Sequence, residues 1–149
     1  MPRTLRVAGA QTGPIQRADP RRHTLDRLIA LLEAAAAQGA GLVVFPELAL
    51  TTFFPRWPME RGELDTWFER AMPNPNCVAL FDRARELEVG FYLGYAELTE
   101  DGRRFNTAIT VGPDRQVLGK YRKIHLPGSV EIKAGLADGS VRIVVGTGA

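Results

Sequence analysis

At 149 residues the chain is long enough for one domain with a sizeable core and short for two. Its 45% hydrophobic and 24% charged residues are ordinary for a globular protein. A net charge of +2 does not call for nucleic acid, which would show clustered Lys and Arg with interleaved aromatics. The densest basic stretch, Arg17, Arg21 and Arg22, is interrupted by Asp19 and reads as a solvated helix entrance. The single cysteine, Cys77, excludes an intramolecular disulfide framework. There is no bilayer-length apolar run and no signal-peptide core, so a cytoplasmic protein without membrane or nucleic-acid partners is expected.

Leu5 to Gln11 is a short apolar run predicted to be a first buried strand. Asp19-Pro20 then offers an N-cap with proline at the first helical position. Leu25, Leu28, Ile29, Leu32, Ala35 and Ala36 form the stripe of an amphipathic helix, which Gly39 ends. Gly41 to Phe45 is a second strand, and strand–helix–strand argues for a parallel pair with a helical crossover. From Pro46 to Pro58 the chain is aromatic and proline-rich with no period, a loop at a strand end, where α/β proteins tend to place chemistry. A helix over Glu63 to Ala71 follows, and Pro73-Asn74-Pro75 breaks it. Asn76 caps another helix running to about Glu88.

The second half carries three strand candidates, Phe91–Leu98, Phe105–Val111 and Gln116–Tyr121. The short turns between them favour antiparallel hairpins. In the middle strand Phe105, Thr107, Ile109 and Val111 alternate with Asn106, Ala108 and Thr110, which suggests a sheet covered by helices on one side and polar at its rim. No repeat, low-complexity tract or domain linker interrupts the sequence.

Two constellations can carry chemistry. In Phe45-Pro46-Glu47-Leu48 a carboxylate follows a buried strand, where partial desolvation raises a pKa toward the range useful for a general base. The plainer alternative is a solvated loop glutamate. In Gly119-Lys120-Tyr121-Arg122-Lys123-Ile124-His125 three cations fall within four residues at a strand end. Alternation places Tyr121 and Lys123 on one face, Lys120 and Arg122 on the other, so one pair should meet solvent while the other aims an ammonium into a site. A basic edge strand that discourages sheet-to-sheet pairing is the alternative. His125 before Leu-Pro reads as structural. Cys77 lies near a helix start that could lower a thiol pKa, yet Val78, Leu80 and Phe81 around it favour a packed thiol. His23 and His125 stand far apart, with no metal-ligand spacing, phosphate-cradling glycine loop or Gly-x-Ser-x-Gly elbow. No metal or cofactor is expected.

Together Val43-Val44-Phe45-Pro46-Glu47 and Gly119–Leu126 resemble the glutamate and lysine motifs of the nitrilase superfamily of carbon–nitrogen hydrolases. Pro46–Trp57, Leu93–Leu98, Arg103–Thr107 and Gln11–Ile15 are similar to stretches of the N-carbamoyl-D-amino-acid hydrolases in particular. The resemblance implies an α/β fold of the α+β kind, here the N-terminal and incomplete portion of a four-layer α-β-β-α sandwich. It also implies Glu47 as general base and Lys123 as the cation that stabilises the tetrahedral intermediate. The family's cysteine attacks the carbonyl, and water resolves the resulting thioester. The substrate would be a small N-carbamoyl amino acid, giving a D-amino acid, CO2 and ammonia, with a homo-oligomeric enzyme expected.

The family's nucleophile lies downstream of the lysine motif, and no cysteine follows Lys123 here. Residues 1–128 therefore read as the N-terminal part of the hydrolase domain. Residues 129–149 read as a divergent tail from truncation, frameshift or a split enzyme, inactive alone, in which Val141–Val145 could form a strand. A fragment of an amidase or ureidopropionase-like relative, or a non-catalytic remnant serving as an interaction module, are the alternatives.

Overall fold

The computed structural model describes residues 4–124 and the backbone of residues 140–141. His125 and the expected tail strand beyond Val141 lie outside the described residues. Along the chain come β1 (Val7–Gly9), α1 (Arg21–Ala37), β2 (Leu42–Val44), a 3-10 turn (Phe54–Arg56), β3 (Met59–Glu60), α2 (Arg61–Asp65), α3 (Val78–Glu86), β4 (Gly90–Leu98), β5 (Arg104–Val111), β6 (Val117–Arg122) and β7 (Ser140–Val141). Five strands form one mixed sheet in the order β1-β2-β4-β5-β6, parallel through β4 and antiparallel beyond it. β3 pairs antiparallel with β7.

The helical stripe decides how α1 docks. Leu25, Leu28, Leu32 and Ala35 are buried, and with Leu80, Phe81 and Ala84 of α3 they cover Val43, Phe91, Leu93 and Ile109 of the sheet. Burying Leu28 and Leu32 contributes roughly 1.5–3 kcal/mol each. Phe91 is gripped edge-on by Phe81 at 5.0 Å and by Phe45 at 6.3 Å. Gly39, at φ +77°, ends α1 in the left-handed region while its N–H donates to Ala36. Toward the far end of β4 the opposite face meets a second cluster, in which Leu48, Phe54, Met59 and Leu64 pack on Ala96.

Four local expectations give way to tertiary structure. β1 is a three-residue edge strand with Val7 exposed, because among the described residues β2 alone flanks it. Pro20, with no side-chain cap, precedes α1, since the Asp19 carboxylate instead accepts the Gln16 N–H at 2.9 Å. Cys77 rather than Asn76 starts α3, and the Asn74 carbonyl takes the Cys77 and Val78 N–H groups. The helix expected over Glu63–Ala71 stops at Asp65, because Glu69 leaves it to bridge β4 through Ala96 and Leu98. Its buried carboxylate takes Arg21, Asn74 and Asn76.

Candidate active site

Glu47 stands three residues beyond β2, where the chain turns off the sheet. Phe45 still hydrogen-bonds to Tyr92 and Ala49 to Gly94, while Leu48 adopts φ +50°, strained for a leucine. This turn lies directly on β4. A Cβ on Gly94 would sit 2.6 Å from Glu47 Cα and 2.8 Å from the Pro46 carbonyl oxygen. Glycine is required there for close approach, so Gly94 sets the position of Glu47.

Lys123 reaches the same place on the same face of the sheet, from its far edge at β6. It leaves β6 with its N–H donating to the Asn106 carbonyl at 2.8 Å, and its ammonium donates to Glu47 Oε2 at 2.9 Å. The Asn106 amide donates to that same oxygen at 3.0 Å. One β5 residue thus positions the lysine by its main chain and the glutamate by its side chain. Sequence reasoning did not single out Asn106; its place on the polar parity of β5 was the available signal. Of the two faces of the basic segment, neither is simply solvated. Lys120 and Arg122 converge on Glu97, while Tyr121 is exposed beside Lys123.

The electrostatics of Glu47 correct an expectation. Burial pushes its carboxyl up, but hydrogen bonds from Lys123 and Asn106 and the charge of Lys123 together carry it below its ordinary value. Glu47 is therefore an ionised carboxylate near neutral pH. Among the described residues its Oε1 accepts no hydrogen bond, which leaves that oxygen available to take a proton. Cys77 is wholly buried in the helix-side core against Met72, and burial pushes its thiol up. It is a packed thiol.

Glu47 opens on a cavity of about 310 Å³ between the Thr12–Gln16 segment and the Pro46–Trp57 loop. Phe53 and Trp57 supply apolar walls, and Arg56 stands between them, its guanidinium 5.2 Å from the Trp57 ring. Arg56 Nε donates to the Phe53 carbonyl at 3.1 Å, and no carboxylate among the described residues pairs with it. The buried Thr51 hydroxyl in the cavity wall also lacks a partner there. Among the described residues no three His, Cys, Asp or Glu side chains converge as metal ligands would, and no helix is long and apolar enough to cross a membrane.

Comparison with known proteins places this geometry. A family model described as carbon-nitrogen hydrolase matches residues 6–147. The chain is 39% identical over 97 residues to a nitrilase of Pyrococcus abyssi, covering 64% of this chain and 35% of that protein. It is 30% identical over 100 residues to the omega-amidase of Homo sapiens, covering 67% of this chain and 34% of that protein. The chain thus spans about a third of the length of these curated relatives. In fold it matches a carbon–nitrogen hydrolase from Helicobacter pylori G27 with a TM-score of 0.68 at 22% identity, over 83% of this chain and 40% of that one. An amidase from Nesterenkonia sp. matches with a TM-score of 0.66 at 22% identity, over 83% of this chain and 44% of that one. With its mixed α/β sheet and a family match along most of its length, the chain belongs to the carbon–nitrogen hydrolases and forms part of that domain.

Proposed function

We propose that Glu47 and Lys123 are the base and cation of a site that hydrolyses linear carbon–nitrogen bonds through a thiol supplied from outside these 149 residues. The 2.9 Å contact between the two side chains carries this reading. A thiol approaching Oε1 of Glu47 would pass its proton to the carboxylate and attack the carbonyl carbon as thiolate. Negative charge then develops on the carbonyl oxygen, and the Lys123 ammonium stabilises it mainly in the transition state. Collapse breaks the carbon–nitrogen bond, and the proton held by Glu47 goes to the departing nitrogen. Water, giving a proton back to Glu47, then hydrolyses the thioester. Structures of two glutamate-substituted variants of the Nesterenkonia amidase hold covalent adducts on that protein's active-site cysteine, which supports a cysteine as the attacking group. A reducing, cytoplasmic setting suits such chemistry.

Within that class we favour an N-carbamoyl-D-amino acid: ammonia leaves in the first step, hydrolysis of the thioester gives a carbamic acid, and its decarboxylation releases CO2 and the D-amino acid. Its support is the cavity beside Glu47, where aromatic walls suit an apolar side chain and Arg56, which pairs with no carboxylate among the described residues, suits a substrate carboxylate. A primary-amide substrate is the second reading, supported by the omega-amidase and amidase relatives.

Ligand titration followed by the indole NMR signal of Trp57, assigned through Trp57→Phe, separates the two. N-carbamoyl-D-phenylalanine is expected to shift the signal, and Arg56→Gln to weaken that shift at least tenfold in apparent Kd. Equal response to a neutral amide, unaffected by Arg56→Gln, favours the amidase reading. Ammonia release is expected to be absent for the chain alone. Turnover that Cys77→Ala abolishes would overturn the external thiol.

A further inference from the structure

β6 is an edge strand with cations on both sides of the sheet, and a carboxylate waits on each. Lys120 and Arg122 lie on the face that bears Tyr95 and Ile109, and Lys123 turns to the other. On the first face Glu97, only 5% exposed, accepts Nε and Nη2 of Arg122 at 2.8 Å each, the Lys120 ammonium, and the Thr107 hydroxyl at 2.7 Å. On the second, Glu47 accepts Lys123 and Asn106.

This arrangement is ambiguous by charge alone. A one-residue slip of β6 would turn Lys123 toward Glu97 and Arg122 toward Glu47, leaving each acid with a cation. The ladder by itself is a weak arbiter, because pairing already shifts register at Thr110/Val111. What separates the alternatives is shape. Arg122 meets Glu97 with two nitrogens while its guanidinium lies 4.2 Å over the Phe105 ring, a planar fit that a lysine cannot reproduce.

We propose that Glu97 is a positioning residue: by gripping Arg122 and Lys120 on one face, it fixes the register of β6 that carries the Lys123 ammonium to Glu47 on the other. The inference rests on reading Glu47 and Lys123 as the acid and cation of the site. It adds a residue two strands from the cation it orients.

The test is a pH titration of the Glu47 carboxyl carbon by NMR in the full chain labelled with 13C-glutamate, assigned through Glu47→Gln. Lys123→Met is expected to move the Glu47 midpoint upward, since an ammonium that holds it down is gone. Glu97→Gln is expected to move it most of the way to the Lys123→Met position, and Glu97→Asp to return part of that shift. The sign is diagnostic, because removing the negative charge of Glu97 acts through space to lower the midpoint, whereas a displaced ammonium raises it. Should Glu97→Gln fail to fold, Arg122→Lys keeps the charge but loses the fork, and the same upward movement is expected. A midpoint unchanged or lowered in both variants, while Lys123→Met raises it, would reduce Glu97 to an ordinary ion pair. A midpoint that Lys123→Met leaves in place would instead remove the acid–amine reading beneath the proposal.

Discussion

The ammonium of Lys123 and the carboxylate of Glu47 meet at 2.9 Å across 76 positions of sequence, yet the pair is half open to water, with 32% and 46% of the two side chains exposed. Ion pairs so exposed contribute about 0–1 kcal/mol to stability. Lys123→Met and Glu47→Gln are therefore expected to lower the urea-unfolding free energy by less than about 1 kcal/mol each. A loss of several kcal/mol would make the contact a structural clamp rather than a pair held for chemistry.

Glu97 behaves in the opposite way. Arg122 holds its carboxyl down; burial opposes this, but Lys120 and Thr107 reinforce it, and the carboxyl lies at about 2 against an ordinary 4.5. Its folded value is below the unfolded one, so its stabilisation is complete above about 4.5 and disappears as pH falls toward 2. At neutral pH this amounts to on the order of 2–3 kcal/mol, allowing for the water that reaches Lys120 and Arg122. Urea midpoints are expected to decline between pH 4.5 and 2, and Glu97→Gln to flatten that decline. Parallel curves for the two proteins would contradict the assignment.

Gly94→Ala tests how the turn carrying Glu47 is built. The added methyl meets backbone atoms at 2.6 and 2.8 Å, which cannot rotate aside. A cost of about 1–3 kcal/mol is expected, together with a Glu47 titration displaced toward ordinary values as the carboxylate leaves Lys123. An unperturbed titration would show that the turn tolerates the methyl.

Much of this was legible because the deciding signals are local. The Leu25–Ala35 stripe, the turns at Asp101-Gly102 and Pro113-Asp114, and the alternation of β5 each dictate structure within one element, and α1 and the β4-β5-β6 meander follow from them. The likeness of Pro46-Glu47 and Lys123 to family motifs pointed to two residues whose side chains meet at 2.9 Å. What stayed hidden depends on partners remote in sequence. Nothing around Glu69 says that it will leave a helix to bridge β4, and nothing around Glu97 says that two cations from β6 will converge on it. The lowered carboxyl of Glu47 was missed for the same reason, since its burial was readable but the two donors that outweigh it were not.

Cys77 is wholly buried with its thiol pushed up by burial, so Ellman's reagent is expected to react only after unfolding. Cys77→Ala is expected to leave the Glu47 titration unchanged. Rapid labelling of the folded chain would place the thiol within reach of a site.

Large apolar side chains stand exposed at both edges of the sheet, Leu5 and Val7 beside β1, and Leu118, Tyr121 and Ile124 along β6. Such surface favours self-association. Light scattering during size exclusion is expected to give a mass that rises with concentration. A monodisperse monomer with a cooperative melt would contradict this.

The meeting of residues 47 and 123 is most directly observed at the lysine itself, through the 15Nζ signal of Lys123 and the exchange of its ammonium protons. Slow exchange, a nuclear Overhauser contact to the Asn106 amide, and loss of both in Glu47→Gln are expected. A Lys123 signal that exchanges as fast as those of solvent-facing lysines and ignores Glu47→Gln would leave the proposed site without its cation.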